Sequence, residues 1–254
     1  MSKASFGFIY KEFWLVLSIF VDCYLSSMER RKFIRSYSLF IAGLYFLALG
    51  IVLIVRAALG TTPISSANYV LSINTPWSLG VWTLINNNIF ILLQLMLLRK
   101  DNPDIRRQKL EIWLQLPFSF LFSAFIDLNM MLTASVAPST YLSCVVLLLV
   151  GCFVQAVGVV LELKGHVVIM SAEGLVACIA DRMNAVFGYV KIGVDVMLVL
   201  IAVILSWLLS GRIEGVREGT VIAALLTGYI VKVLASQVMT RKTVEKIRTK
   251  LHVK

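Results

Sequence analysis

Six runs of about twenty predominantly apolar residues punctuate the chain, and no other feature limits its fold as strongly. Twenty helical residues at about 1.5 Å each cross the roughly 30 Å hydrocarbon core of a bilayer. In that core each backbone N–H and C=O must be satisfied within the chain, which selects helices for segments of this length. The runs lie at 37–56, 79–98, 110–132, 141–163, 190–209 and 220–235. Of the 254 residues 59% are hydrophobic and 15% charged, with a mean hydropathy of +0.87; soluble domains are nearer half apolar and a quarter charged. The longest polar stretches, 99–109 and the tail from Thr240, are too short to form a soluble domain. The expected class is an all-α integral membrane protein of about six transmembrane helices, with the lipid bilayer as its partner.

A net charge of +10 would suit a nucleic-acid binder, but its distribution suits a membrane better. Arg30, Arg31, Lys32 and Arg35 precede the first run. Arg99, Lys100, Arg106, Arg107 and Lys109 separate the second from the third. Lys164, Arg182 and Lys191 lie between the fourth and fifth, and Arg241, Lys242, Lys246, Arg248, Lys250 and Lys254 follow the sixth. With six crossings all of these share one side, and the other side holds Arg56, Arg212 and Arg217. The positive-inside rule then puts both termini in the cytoplasm, and no nucleic-acid partner is expected. Cys23, Cys144, Cys152 and Cys178 show no CxxC or His-paired spacing, so neither a disulfide framework nor a metal site is expected. Residues 1–27 hold an apolar stretch too short to span. It reads as an interfacial helix, or as a segment upstream of a start at Met28.

The first run is broken by Arg56-Ala57-Ala58-Leu59-Gly60-Thr61-Thr62-Pro63-Ile64-Ser65-Ser66. Thr62 before Pro63 reads as an N-cap with proline at the first helical position, so a new helix starts there. A helix restarted at membrane depth is tolerated where its backbone faces protein or a watery cavity. A second poor spanner, 167–186, holds Ser171, Glu173, Gly174, Asp181 and Arg182.

Sliding the chain by 108 residues sets Gly43 on Gly151, Gly50 on Gly158 and Gly80 on Gly188, three matches among fifteen glycines. The same shift sets Pro63 on Ser171, Arg56 on Lys164 and Asn87 on Asp195. Each half then has three crossings and one broken segment, and an odd number of crossings inverts the second half. Two inverted-topology three-span repeats, each with a broken or re-entrant helix, are the plan of many secondary transporters. A simpler alternative is that glycines seven residues apart only let helices approach closely. The expected division is a cytoplasmic or interfacial segment 1–35, repeats at 36–133 and 134–236, and a basic cytoplasmic tail at 237–254.

The run from Ala48 to Pro63, with its Leu-Gly-Thr-Thr-Pro break, followed by Ser78-Leu79-Gly80 and then Asn87, Asn88 and Gln94, resembles the YitT/YczE-type bacterial multipass membrane proteins. Gly219-Thr220 at the last span is similar as well. The resemblance implies a bacterial cytoplasmic-membrane protein of about six spans and supplies no substrate or catalytic residue.

Polar groups inside spans are costly and usually face an interior or cavity. A solute site near the midplane is expected to draw on Thr61, Thr62, Ser65, Asn87, Ser171, Glu173 and Asp195. Helix starts favour anions, whereas Glu173 and Asp195 favour a cation or proton. Together they suit a small zwitterion or anion moved with a coupling proton or cation. Asn86 and Asn88 read equally well as interhelical glue. Asp127 and Glu162 read as interfacial, and Arg56 as reaching the outer headgroups. His166 and His252 fit no catalytic spacing, and Gly-x-Ser-x-Gly and Walker-type motifs are absent from the sequence. The expected function is a non-enzymatic secondary transporter without cofactor or metal. The alternatives are the membrane-embedded binding subunit of an energy-coupled importer, and a non-transporting regulator or scaffold acting through its basic tail.

Overall fold

The computed structural model describes residues 30–98, 105–165 and 167–238. The expectations for 1–27 and for the tail beyond 238 lie outside the described residues. All regular structure among the described residues is helical: α1 (Arg30–Arg56), α2 (Pro63–Asn74), α3 (Leu79–Leu97), α4 (Ile105–Trp113), α5 (Gln115–Leu132), α6 (Tyr141–Gly165), α7 (Ser171–Met183), α8 (Phe187–Ser210) and α9 (Glu218–Val238). Among the described residues six stretches are long and apolar enough to cross a membrane: Phe33–Arg56, Leu79–Leu97, Ile105–Leu132, Tyr141–Gly165, Phe187–Ser210 and Glu218–Ala235. The chain is a multi-pass membrane protein.

The third stretch begins before the apolar run at 110–132. Its first turns form α4, where Arg106, Arg107 and Lys109 are exposed and Arg107 pairs with Glu111 at 3.5 Å, one turn on. The helix is interrupted at Leu114, three residues before Pro117. Proline has no N–H to offer the Trp113 carbonyl and its ring crowds that group, which accounts for the interruption.

Between α1 and α3, and again between α6 and α8, stands a helix too short to cross. α2 has 12 residues and α7 has 13, or about 18–20 Å at 1.5 Å per residue. α2 opens at Pro63 with Thr62 as the extended N-cap residue, as the Thr-Pro pair predicts, although the Thr62 side chain makes no capping bond. α7 opens at Ser171, 108 positions after Pro63.

α1 and α6 form the most extensive helix pair, and they pack antiparallel. A Cβ on Gly43 would lie 2.9 Å from the Gly158 carbonyl oxygen, and one on Gly151 would lie 3.2 Å from that of Gly50. One on Gly50 would strike the Gln155 backbone, and one on Gly158 the Leu47 backbone. Only glycine permits this approach, since any side chain would force the backbones apart. Adding 108 to Gly43 and subtracting it from Gly158 gives the Gly151–Gly50 contact. One heptad further along each helix, Gly165 lies against Phe40, and Ala57 shares a buried cluster with Leu148. Those positions are related by the same shift.

The remaining contacts show the same reciprocity. α2 packs on α8 and α7 on α3; α1 packs on α5 and α6 on α9. The exception is that α3 packs firmly on α5, whereas α8 and α9 barely touch. At the α3 start Asp127 of α5 accepts from the Gly80 N–H (2.8 Å) and the Ser78 hydroxyl (2.7 Å). The helix dipole and unpaired N–H groups favour a carboxylate at this place. Asp127, read as interfacial from its position in the chain, is a cap. Gly188, the counterpart of Gly80, has nothing within 4 Å of where its Cβ would be.

Candidate functional site

The first break is built for connection. After α1 the chain turns through Ala58 (φ 57°) and Gly60 (φ 126°). A Cβ on Gly60 would lie 2.5 Å from the Thr220 hydroxyl. The Thr61 N–H donates to that hydroxyl at 3.2 Å, the Thr61 hydroxyl donates to the Gly215 carbonyl at 3.1 Å, and the Gly219 N–H donates to the Leu59 carbonyl at 2.8 Å. Thr61 thus ties the break to the start of α9. Thr62 and Ser65 are buried in the first turn of α2, where the Ser65 N–H donates to the Thr62 carbonyl at 3.0 Å.

The second break is built from amides. The Ser171 hydroxyl donates to Asn87 Oδ1 at 2.9 Å, and the Ser171 carbonyl accepts from Gln94 Nε2 at 3.0 Å. Gln94 and Gln115 donate to each other's carbonyls at 2.9 and 3.0 Å, closing a reciprocal amide pair between α3 and α5. Gly174 makes room for the pair: its Cβ would lie 2.5 Å from Gln94 Oε1. Buried polar groups need partners, and nearly all find one. Asn87 Nδ2 is buried at this place without one among the described residues.

Asn87 and Ser171 therefore meet, while Thr61, Thr62 and Ser65 belong to the other break. Glu173, half-buried in the first turn of α7, has Glu162 of α6 nearby, and Glu162 also bonds the Met170 backbone. Asp195 pairs with Lys191 on its own helix at 2.9 Å and is 24% exposed. Asn87 and Asp195, both expected in one midplane site, make separate contacts. The two breaks meet through carbon instead. Phe90 of α3, Leu175 of α7 and Leu198 of α8 form one buried cluster, with Ile64 of α2 and Ala172 of α7 packed against it. Phe90 and Leu198 are 108 apart, as are Ile64 and Ala172, so the 108-residue shift pairs residues at the meeting point although the chemistry there is apolar.

Gln94 enters the sequence reading through the family resemblance and is not among the expected site residues. Gln115 was overlooked, although it is equally an amide at the head of an apolar run. Thr220 gave no signal beyond the Gly219-Thr220 pair, because its role comes from a contact across 159 residues.

Two cavities open at opposite ends of α3. One of about 120 Å³ lies beside Gln94 and Gln115 and reaches Leu97, Glu111 and Asp181. The other, about 540 Å³, is lined by Ser78, Leu79 and Arg56 among others. Leu79 and Leu97 are 18 residues apart on one helix, about 27 Å along its axis.

No curated protein and no solved structure matches the chain. Residues 34–236 match a family described as "Family of unknown function (DUF6198)". That stretch takes in both breaks and runs from the start of the first apolar helix to the end of the last, and the chain belongs to this DUF6198 family.

Proposed function

We propose that the chain is a secondary transporter, moving a small polar or anionic solute across a bacterial cytoplasmic membrane by alternating access between two inverted halves. The observation that carries this reading is the pair of cavities at the two ends of α3, separated by the apolar layer where α2 and α7 begin. A transporter needs an opening toward each side and a barrier between them that can re-form on either side of the solute. Broken helices whose starts meet at mid-depth are the usual builders of such a barrier. The reciprocal contacts of α2 with α8 and of α7 with α3 suit an inverted pair of halves.

In this reading Asn87 and Ser171 receive the solute, because the amide N–H of Asn87 is buried and unpaired. Glu173, with Glu162 beside it, and Asp195 are the proposed holders of a coupling proton or cation. Both termini are proposed to be cytoplasmic, and kinship with the YitT/YczE-type proteins belongs to the same proposal. The test is solute uptake by vesicles containing the purified chain, driven by a proton or sodium gradient. Asn87→Leu is expected to lower the flux about tenfold or more, equivalent to roughly 1.4 kcal/mol, in protein that still elutes as one species. Flux that is indifferent to Asn87 and Ser171 would remove the site from the mechanism. Absence of any gradient-driven flux would remove the mechanism itself.

A further inference from the structure

We infer that the 540 Å³ cavity is the docking place for a small zwitterion, its carboxylate held by Arg56 and its ammonium by Asp127. The inference rests on the transport reading, for which it supplies a substrate class. A cavity of this size falls within the range of small-molecule sites. Its walls carry one charge of each sign, Arg56 and Asp127, with Tyr69, Ser72 and Ser78 around them.

Arg56 donates from Nη2 to the Met130 carbonyl at 2.8 Å and from Nε to the Thr133 hydroxyl at 3.4 Å. A guanidinium has five N–H donors and keeps its charge at every relevant pH, so three donors remain. Among the described residues Arg56 makes no ion pair. A permanent cation on a cavity wall with donors to spare matches a carboxylate, whose two oxygens take a guanidinium in parallel. Asp127 accepts one hydrogen bond on each oxygen, from Gly80 and Ser78. An ionised carboxylate accepts about four, which leaves room for an ammonium. The two wall charges also sort solutes. A dianion meets the field of Asp127, a simple cation meets that of Arg56, and a zwitterion satisfies both.

The experiment is calorimetric titration of the full chain in detergent with glycine, L-alanine, L-serine, acetate, succinate and choline. The zwitterions are expected to bind, acetate more weakly, and succinate and choline not measurably. Arg56→Gln is expected to weaken zwitterion binding about 10- to 100-fold, the loss that follows removal of a charge-assisted hydrogen bond. Arg56→Lys should recover part of it. Ala137 is exposed on a connecting segment and lines the same cavity. Ala137→Trp fills the space without touching the Arg56 bonds, so it should abolish binding even if Arg56→Gln fails to fold. Binding that survives both Arg56→Gln and Ala137→Trp, binding of succinate or choline in preference, or no binding of any zwitterion would each overturn the inference. If Arg56 only staples the end of α5, its variants lose stability while Ala137→Trp leaves zwitterion binding intact, which also overturns it. Vesicle uptake separates the two proposals. Zwitterions that bind through Arg56 but are never moved would leave the site standing and bring down transport. Gradient-driven flux of another class, with no zwitterion binding, would do the reverse.

Discussion

Two neighbouring residues at the first break hold unusual backbone conformations for different reasons. Gly60 combines φ 126° with a Thr220 hydroxyl where its Cβ would be. Gly60→Ala is therefore expected to destabilise by about 2–4 kcal/mol from backbone strain and overpacking, seen as a lower unfolding temperature in detergent. Ala58 has φ 57° but is exposed. There glycine removes left-handed strain of roughly 1–2 kcal/mol while loosening the unfolded chain by about 0.4–1 kcal/mol. Ala58→Gly is expected to leave stability unchanged or raise it slightly. The Gln94–Gln115 pair makes a second prediction at this scale. Either glutamine changed to leucine strands its partner's buried amide, at about 1–3 kcal/mol. The double change removes both needs together and should lose clearly less than the sum of the singles, which a double-mutant cycle on unfolding temperature measures.

Among the elements, the spans were legible because nothing but a bilayer asks for six apolar runs of twenty. The start of α2 was legible because Thr62-Pro63 is a local signal, and that of α7 only because the 108-residue register carries Pro63 to Ser171. The split at Leu114 was missed although Pro117 announces it, since the apolar run continues past the proline. The candidate site was less legible. Single polar residues in spans stand out, but whether they meet depends on contacts such as Asn87 with Ser171, 84 residues apart. The 108-residue register also hides a difference between positions that it pairs. Gly80 and Gly188 correspond in register, yet a Cβ on Gly80 would lie 2.5 Å from the Asp127 carboxylate while that on Gly188 would meet open space. Gly80→Ala is expected to destabilise by about 1–3 kcal/mol through overpacking. Gly188→Ala should be neutral or stabilise by up to about 1 kcal/mol, the helix preference of alanine over glycine. Paired unfolding measurements on the two variants check this.

For the whole molecule, the proposed alternating access is expected to change the mutual position of α2 and α8. Ala67 of α2 and Ala202 of α8 share one buried cluster. With the native cysteines replaced, Ala67→Cys and Ala202→Cys joined by a disulfide should stop solute flux, and reduction should restore it. Flux that continues through the locked protein would show that this contact is not part of the moving layer.

The glycine-lined contact of α1 with α6 has a mechanical consequence. Where two helices meet through side chains, rotamers can change and one helix can slide on the other in small steps. Gly43, Gly50, Gly151 and Gly158 put backbone against backbone, so at these four positions there is no side chain to re-pack. In the transport reading the pair is the axle about which the two proposed halves would turn. That reading places the protein's motion around α1 and α6, in the short helices and the spans on which they rest.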